Sequence, residues 1–233
     1  MSADVPLSTE EISFASDATQ HVPDHAVAVV AFPRNFDPHR NWPVLIVFST
    51  SDFKRLNRND LVDFYRNAAL SQGWIILAGD SREFAPRDTN GWRAAMTLAA
   101  LDELHRSFPK SASWPVAVAG FSGGAKRAGL LAPLLFLKHY SICGLYLTGI
   151  NQDTLSISYR TSKLSRAFLD TPIFISSGTN DHIAPPDRAR AVAESMKAAG
   201  FRRVRFEPFE GGHAVKNDHT IQALRWFMAL RQR

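Results

Sequence analysis

Short, uninterrupted apolar runs alternate along the chain with longer segments in which apolar residues recur every three or four positions. Val44 to Phe48, Trp74 to Ala78 and Val116 to Phe121 are continuous runs, the pattern of strands buried on both faces of a sheet. Val27 to Phe32, Gly144 to Ile150, Pro172 to Ser176 and Val204 to Phe209 complete a predicted strand series. Between them the spacing predicts helices. Asn59 to Gln72 carries Leu61, Phe64, Tyr65 and Ala68 on one stripe and stops at Gly73. Asn90 to Ser107 carries Ala94, Leu98, Leu101 and Leu104 and stops at Pro109. Helices are also expected over Asp187 to Ala199, capped by Gly200, and over Ile221 to Leu230.

Strand and helix in turn predict an α/β fold, a mostly parallel sheet with helices on both faces. At Ser122 strand becomes helix with no loop between, and Pro133 is expected to kink or split the helix that follows. No repeat or linker-like stretch interrupts the pattern, so residues 1–233 are read as a single domain. The stretch Asn151 to Thr171 is too short for a large cap over the carboxyl edge of the sheet.

Composition changes this picture little. With 45% hydrophobic and 21% charged residues, the chain has the make-up of an ordinary globular protein. The net charge of +5 comes without a long basic run, and Arg202, Arg203 and Arg205 read as a solvated strand face, so no nucleic-acid partner is expected. No segment has the length of apolar residues that a membrane-spanning helix needs, and Met1 to Glu10 lacks the basic start of a leader, giving a cytoplasmic expectation, or secreted if a signal peptide has been removed. The lone Cys143 has no internal partner and sits among Ile142, Leu145 and Tyr146, the setting of a buried strand thiol.

The candidate chemistry begins at Gly120-Phe121-Ser122-Gly123-Gly124, a G-x-S-x-G sequence at a strand-to-helix junction. A turn that tight needs small residues on either side of the serine, and it leaves the hydroxyl at a helix N-terminus where free N–H groups favour a developing oxyanion. A serine hydroxyl needs a base, and His213 follows a strand through Glu210-Gly211-Gly212. The imidazole needs a carboxylate to orient it, and Asp181 follows a strand through Gly178-Thr179-Asn180. Asp187, after Pro185-Pro186, reads as a helix N-cap, and Asp218 stands too close in sequence to reach behind the His213 ring. Trp92, Trp114 and Trp226 read as core residues, and Asp80 as the cap of a strand-end turn. His182 and His219 lack metal-type spacing, so no metal and no cofactor are expected.

In the order Ser122, Asp181, His213, the segments Gly120 to Ala125, Gly178 to Asp181 and Gly211 to His213 resemble the corresponding blocks of α/β-hydrolase esterases. The likeness is to the small dienelactone hydrolase, phospholipase/carboxylesterase and polyester-depolymerase-like groups. It implies an α/β-hydrolase fold, a serine esterase activity and an oxyanion hole of two backbone N–H groups. In those groups the strand matching Val44 to Phe48 runs into His-Gly; Ser49-Thr50 stands there in this chain, which makes Ser51 and Gly123 the expected donors.

Two readings of function result. One is a serine hydrolase that cleaves small or polymeric carboxylic esters through an acyl-enzyme, with a thioesterase or peptidase as variants using the same three residues. The other is a non-catalytic binding protein of the same fold, since fold alone does not carry activity.

Overall fold

A computed structural model describes residues 1–15, 24–50, 55–82 and 88–231. The apolar runs form the middle of an eight-stranded sheet. Strands β1 (Ser2–Pro6), β2 (His25–Ala31), β3 (Val44–Phe48), β4 (Ile75–Asp80), β5 (Val116–Phe121), β6 (Ile142–Thr148), β7 (Ile173–Gly178) and β8 (Val204–Phe209) lie in the order β1-β2-β4-β3-β5-β6-β7-β8. β2 runs antiparallel to both of its neighbours, and from β4 to β8 every pairing is parallel. β1 and β8 are the outermost strands.

Alternation along each strand builds two cores. Val44, Ile46 and Phe48 of β3 and Val116 and Val118 of β5 face one side, packed against α1 (Thr9–Ala15), α4 (Asn90–Ser107), α5 (Gly123–Leu137), α6 (Thr154–Thr161) and α7 (Pro186–Ala198). Leu45, Val47, Ala117 and Ala119 face the other, against Leu61, Tyr65 and Ala69 and against Leu224 and Phe227 of α8 (Asn217–Arg231). These strand residues are all but inaccessible to solvent. Burying each Val, Leu or Ile contributes about 1.5–3 kcal/mol, so the two-faced strands anchor the sheet and fix its register. That register sets Phe48 opposite Gly120 and Gly120 opposite Leu147, which brings the carboxyl ends of β3, β5 and β6 level.

The sheet type and the helices on both faces agree with the sequence pattern, and among the described residues no inserted cap stands over the carboxyl edge. Several details differ. The helix expected from Asn59 begins at Asn57, and it consists of α2 (Asn57–Asp60), a π-helical stretch Leu61–Tyr65 and α3 (Arg66–Ser71). The earlier start has a cause: the buried Asp80 carboxylate at the end of β4 accepts the N–H groups of Asn57 and Arg58 at 2.8 Å each. Asp80 thus caps a helix rather than its own turn.

Pro133 does not split α5, which runs unbroken from Gly123 to Leu137. Proline removes one N–H donor from the ladder, yet α6 ties down the same stretch of helix from outside: Thr154 Oγ1 bonds the Lys126 carbonyl at 2.7 Å and Ser158 Oγ the Leu130 carbonyl at 3.1 Å, on either side of the Gly129 carbonyl that Pro133 leaves without its ladder partner. Asp187 is not an N-cap; Pro185 holds that position, and Asp187 lies exposed in the first turn of α7. β1, α1 and α6 had no counterpart in the sequence pattern.

Candidate active site

Ser122 is the hinge between β5 and α5, with φ 57° and ψ −118°. A non-glycine residue there carries strain of about 1–3 kcal/mol that the surrounding structure must hold. The Ser122 N–H is fixed to the Thr148 carbonyl at 2.9 Å, and the first turn of α5 closes on the Ser122 carbonyl through Ala125 N–H at 3.1 Å. The flanking glycines are demanded by contact rather than by φ. A Cβ on Gly120 would lie 2.1 Å from the Gly124 carbonyl oxygen, and one on Gly124 would lie 2.1 Å from that of Phe48.

The acid and base loops are bound to each other by backbone. Thr179 N–H donates to Phe209 at 2.8 Å and Asn180 N–H to Gly211 at 2.9 Å, and a Cβ on Gly178 would meet the Gly212 carbonyl oxygen at 2.2 Å. This lacing brings His213 Nδ1 to 2.7 Å from Asp181 Oδ2, while Asp181 Oδ1 accepts the N–H groups of Ile183 and Ala184 at 2.8 Å each. Burial acts to raise the Asp181 carboxyl, but bonds from Ala184, His213 and Ile183 outweigh it and hold the group below the ordinary aspartate value. An ionised Asp181 can only accept, so the proton lies on His213 Nδ1 and leaves Nε2 as the free acceptor.

The His213 ring lies beside the serine turn. It packs on Phe121 with ring centroids 4.5 Å apart, and a Cβ on Gly149, the residue after Thr148, would touch its Cε1 at 2.8 Å. No hydrogen bond joins Ser122 Oγ to His213 among the described residues; such bonds commonly tighten only once substrate is bound. The competing carboxylates stay away: Asp187 and Asp218 are exposed in the first turns of α7 and α8. His182 is exposed, and the His219 ring binds Ser176 Oγ at 2.8 Å. Trp92 and Trp114 are core residues and Trp226 is half-buried. Cys143 is buried on β6, which pushes its thiol up to about 12.

Gly123, the first residue of α5, faces the exit of β3: a Cβ there would lie 2.4 Å from Thr50 Oγ1. Ser51, the other expected donor, lies outside the described residues.

No protein-family model matches the sequence, and no match is found among curated proteins. Solved structures do match. The chain is similar to an alpha-beta serine hydrolase homologue from Coxiella burnetii, with a TM-score of 0.61 and 13% identity over 88% of this chain and 91% of that one. It is also similar to a hyperthermophilic esterase from the archaeon Pyrobaculum calidifontis, at 0.65 and 16% over 96% and 88% of the two chains. Acyl-protein thioesterase 2 from Zea mays matches at 0.57 and 12% over 87% and 97%. The chain has the α/β-hydrolase fold.

Within the α/β-hydrolase fold the carboxyl edge of the sheet carries a further group of side chains that periodicity did not reveal. Arg93 on α4 and Arg127 on α5 are both buried, and they share Asp88. Arg93 grips the Asp88 carboxylate with Nε at 2.8 Å and Nη2 at 2.9 Å, and Arg127 Nη2 approaches it at 3.2 Å. Asn57 Oδ1 accepts from Arg93 Nη1 at 3.0 Å and from Ser49 N–H at 2.9 Å. Burial and the neighbouring Arg93 push Arg127 down to about 10, with Asp88 opposing them. The available signal was a cation in each of two apolar helices, Arg93 beside Trp92, Ala94 and Ala95, and Arg127 before Ala128.

No helix among the described residues is long and apolar enough to cross a membrane.

Proposed function

We propose that this chain is a serine hydrolase that cleaves carboxylic esters through an acyl-enzyme, with Ser122 as nucleophile, His213 as base and Asp181 as the orienting carboxylate. The observation that carries the reading is the His213 Nδ1 to Asp181 Oδ2 contact of 2.7 Å beside a serine held at φ 57° on a strand-to-helix turn. Esterases of the same fold support it.

In the first step Ser122 Oγ attacks the ester carbonyl carbon as His213 Nε2 takes its proton. Asp181 holds the ring in the needed tautomer and stabilises the imidazolium. By this reading the oxygen that becomes negative is met at the N-terminus of α5 by Gly123 N–H, with Ser51 N–H as the second donor. The tetrahedral adduct then expels the alcohol, which takes the proton from His213, and leaves Ser122 acylated. A water repeats the sequence: His213 removes its proton, it attacks the acyl carbon, and the proton returns to Ser122 Oγ as the acid leaves.

Treatment with a fluorophosphonate followed by peptide mass spectrometry tests the assignment. The adduct is expected on Ser122, and Ser122→Ala should lose about 10⁴-fold or more in ester turnover. An adduct on another serine, or turnover that survives Ser122→Ala, would overturn the mechanism. A chain that takes no label and hydrolyses no ester would be the binding protein instead.

A further inference from the structure

We infer that Arg127 is a positioning residue for the oxyanion side of this site, its guanidinium setting the Ser49–Thr50 backbone against Gly123. The inference rests on the acyl-transfer reading and deepens it.

A closed ring of polar contacts carries the argument. Ser49 N–H donates to Asn57 Oδ1, which also accepts from Arg93 Nη1; Arg93 grips Asp88, Asp88 meets Arg127 Nη2, and Arg127 Nη1 returns to the Ser49 carbonyl at 3.1 Å. Both backbone polar groups of Ser49 are therefore held by the ring. Among the described residues it is braced by Asn90 Oδ1 at 3.3 Å from Arg127 Nε, Asp80 Oδ1 at 3.5 Å from Arg93 Nη1 and the Arg55 carbonyl at 2.9 Å from Arg93 Nη2.

The placement of the ring gives it a role. Ser49 is the first residue past β3, and Thr50 beyond it packs against Gly123, where a Cβ would lie 2.4 Å from Thr50 Oγ1 and 3.2 Å from Thr50 Cα. Arg127 stands on the same helix that Ser122 begins. One rigid element thus carries the nucleophile, the Gly123 N–H and the guanidinium that holds the facing wall, so the ring sets the gap in which an oxyanion would sit. Ser49-Thr50 stands where the resembling groups have His-Gly, and a fork donor that reaches a backbone carbonyl and a carboxylate together is what arginine offers and lysine does not. Burying two guanidiniums is costly, and a pair of apolar residues would fill the same space with less desolvation. The ring therefore makes sense as a device for geometry.

Arg127→Met and Arg127→Lys, compared with the unaltered chain, test this by steady-state turnover of a short-chain ester and by binding of an alkyl boronic acid, whose tetrahedral serine adduct needs the oxyanion contacts. For Arg127→Met the expectation is a fall of about 10²-fold in kcat, the scale of one lost oxyanion donor, with KM within about threefold. Boronate affinity should fall by the same factor, a parallel that mere loss of stability would not produce. Arg127→Lys should retain part of both. A folded Arg127→Met with unchanged kcat and boronate affinity would overturn the inference, as would a change confined to KM or a kcat loss with boronate binding intact. If Arg127→Met does not fold, the Lys variant carries the same comparison, and unchanged values in it overturn the inference. If neither folds, Arg127 serves the fold alone and the positioning role is abandoned. Failure of the underlying reading looks different: the unaltered chain itself would then take no fluorophosphonate label and hydrolyse no ester.

Discussion

The two sides of the candidate site are held in place by different physics. On the His213 side, two loops are laced by backbone hydrogen bonds, glycines let them touch, and the one buried carboxylate is satisfied by N–H groups and an imidazole. On the Ser49 side, side chains do the holding: two buried guanidiniums meet Asp88 and the buried Asp80 and Asn57. The first arrangement depends on main-chain shape and tolerates little added volume. The second depends on charge and fork geometry and is exposed to changes in protonation or hydrogen-bond capacity.

The largest expected effect breaks the His213 side chemically. Asp181→Asn keeps the shape but reverses the tautomer preference of the ring, and about 10⁴-fold should be lost from kcat in steady-state assays. Next comes a purely steric change on the same side. Gly178→Ala drives a Cβ into the Gly212 carbonyl, which must displace His213, and a loss of about 10²-fold is expected, measured as kcat/KM on the same ester. A Gly178→Ala variant of full activity would show that the lacing does not set the ring.

Acid and base stability curves should separate the sides by sign. Asp181 is held below its ordinary value in the fold, so its contribution to stability is complete above the unfolded value near pH ~4 and is lost as pH falls further. Asp60, near the Ser49 side, behaves in the opposite sense. Burial pushes it up to about 6 despite Arg55, so the folded chain holds an extra proton between pH ~4 and about 6, and stability falls as pH rises through that window. Urea unfolding of the unaltered chain and of Asp60→Asn across pH 4 to 7 should show the slope in the former only; equal slopes would refute the assignment. The smallest effect belongs to Asp187, exposed in the first turn of α7: Asp187→Asn should cost no more than about 1 kcal/mol from the helix terminus and leave kcat within about threefold.

Legibility in the sequence followed the kind of force at work. The doubly buried strands β3 and β5 were plain because every residue in them is apolar, and the serine turn because glycine contacts on both sides leave a fixed spacing. The pairing of His213 with Asp181 could be anticipated from two glycine-bearing loops after successive strands. α6 was invisible because its buried face is largely Thr154, Ser156 and Ser158, hydroxyls that bond or adjoin α5 rather than an apolar stripe. β1 was invisible because Val5 is its one buried residue. The π-helical stretch Leu61–Tyr65 changes hydrogen-bond register without changing composition, and the arginine ring joins residues from Ser49 to Arg127 that no local pattern connects.

The outermost strands also govern what the molecule does beside its own copies. The open rim of a sheet is a template onto which another chain can add a strand, and long, flat, apolar rims invite aggregation. β8 answers this with Pro208, which has no N–H to offer, and with Arg205 and Glu207 paired at 2.6 Å along it. At the opposite rim β1 is five residues long, ends on Pro6 and carries Asp4 in an ion pair with Arg82. Among the described residues, both rims thus carry features that disfavour the addition of another strand.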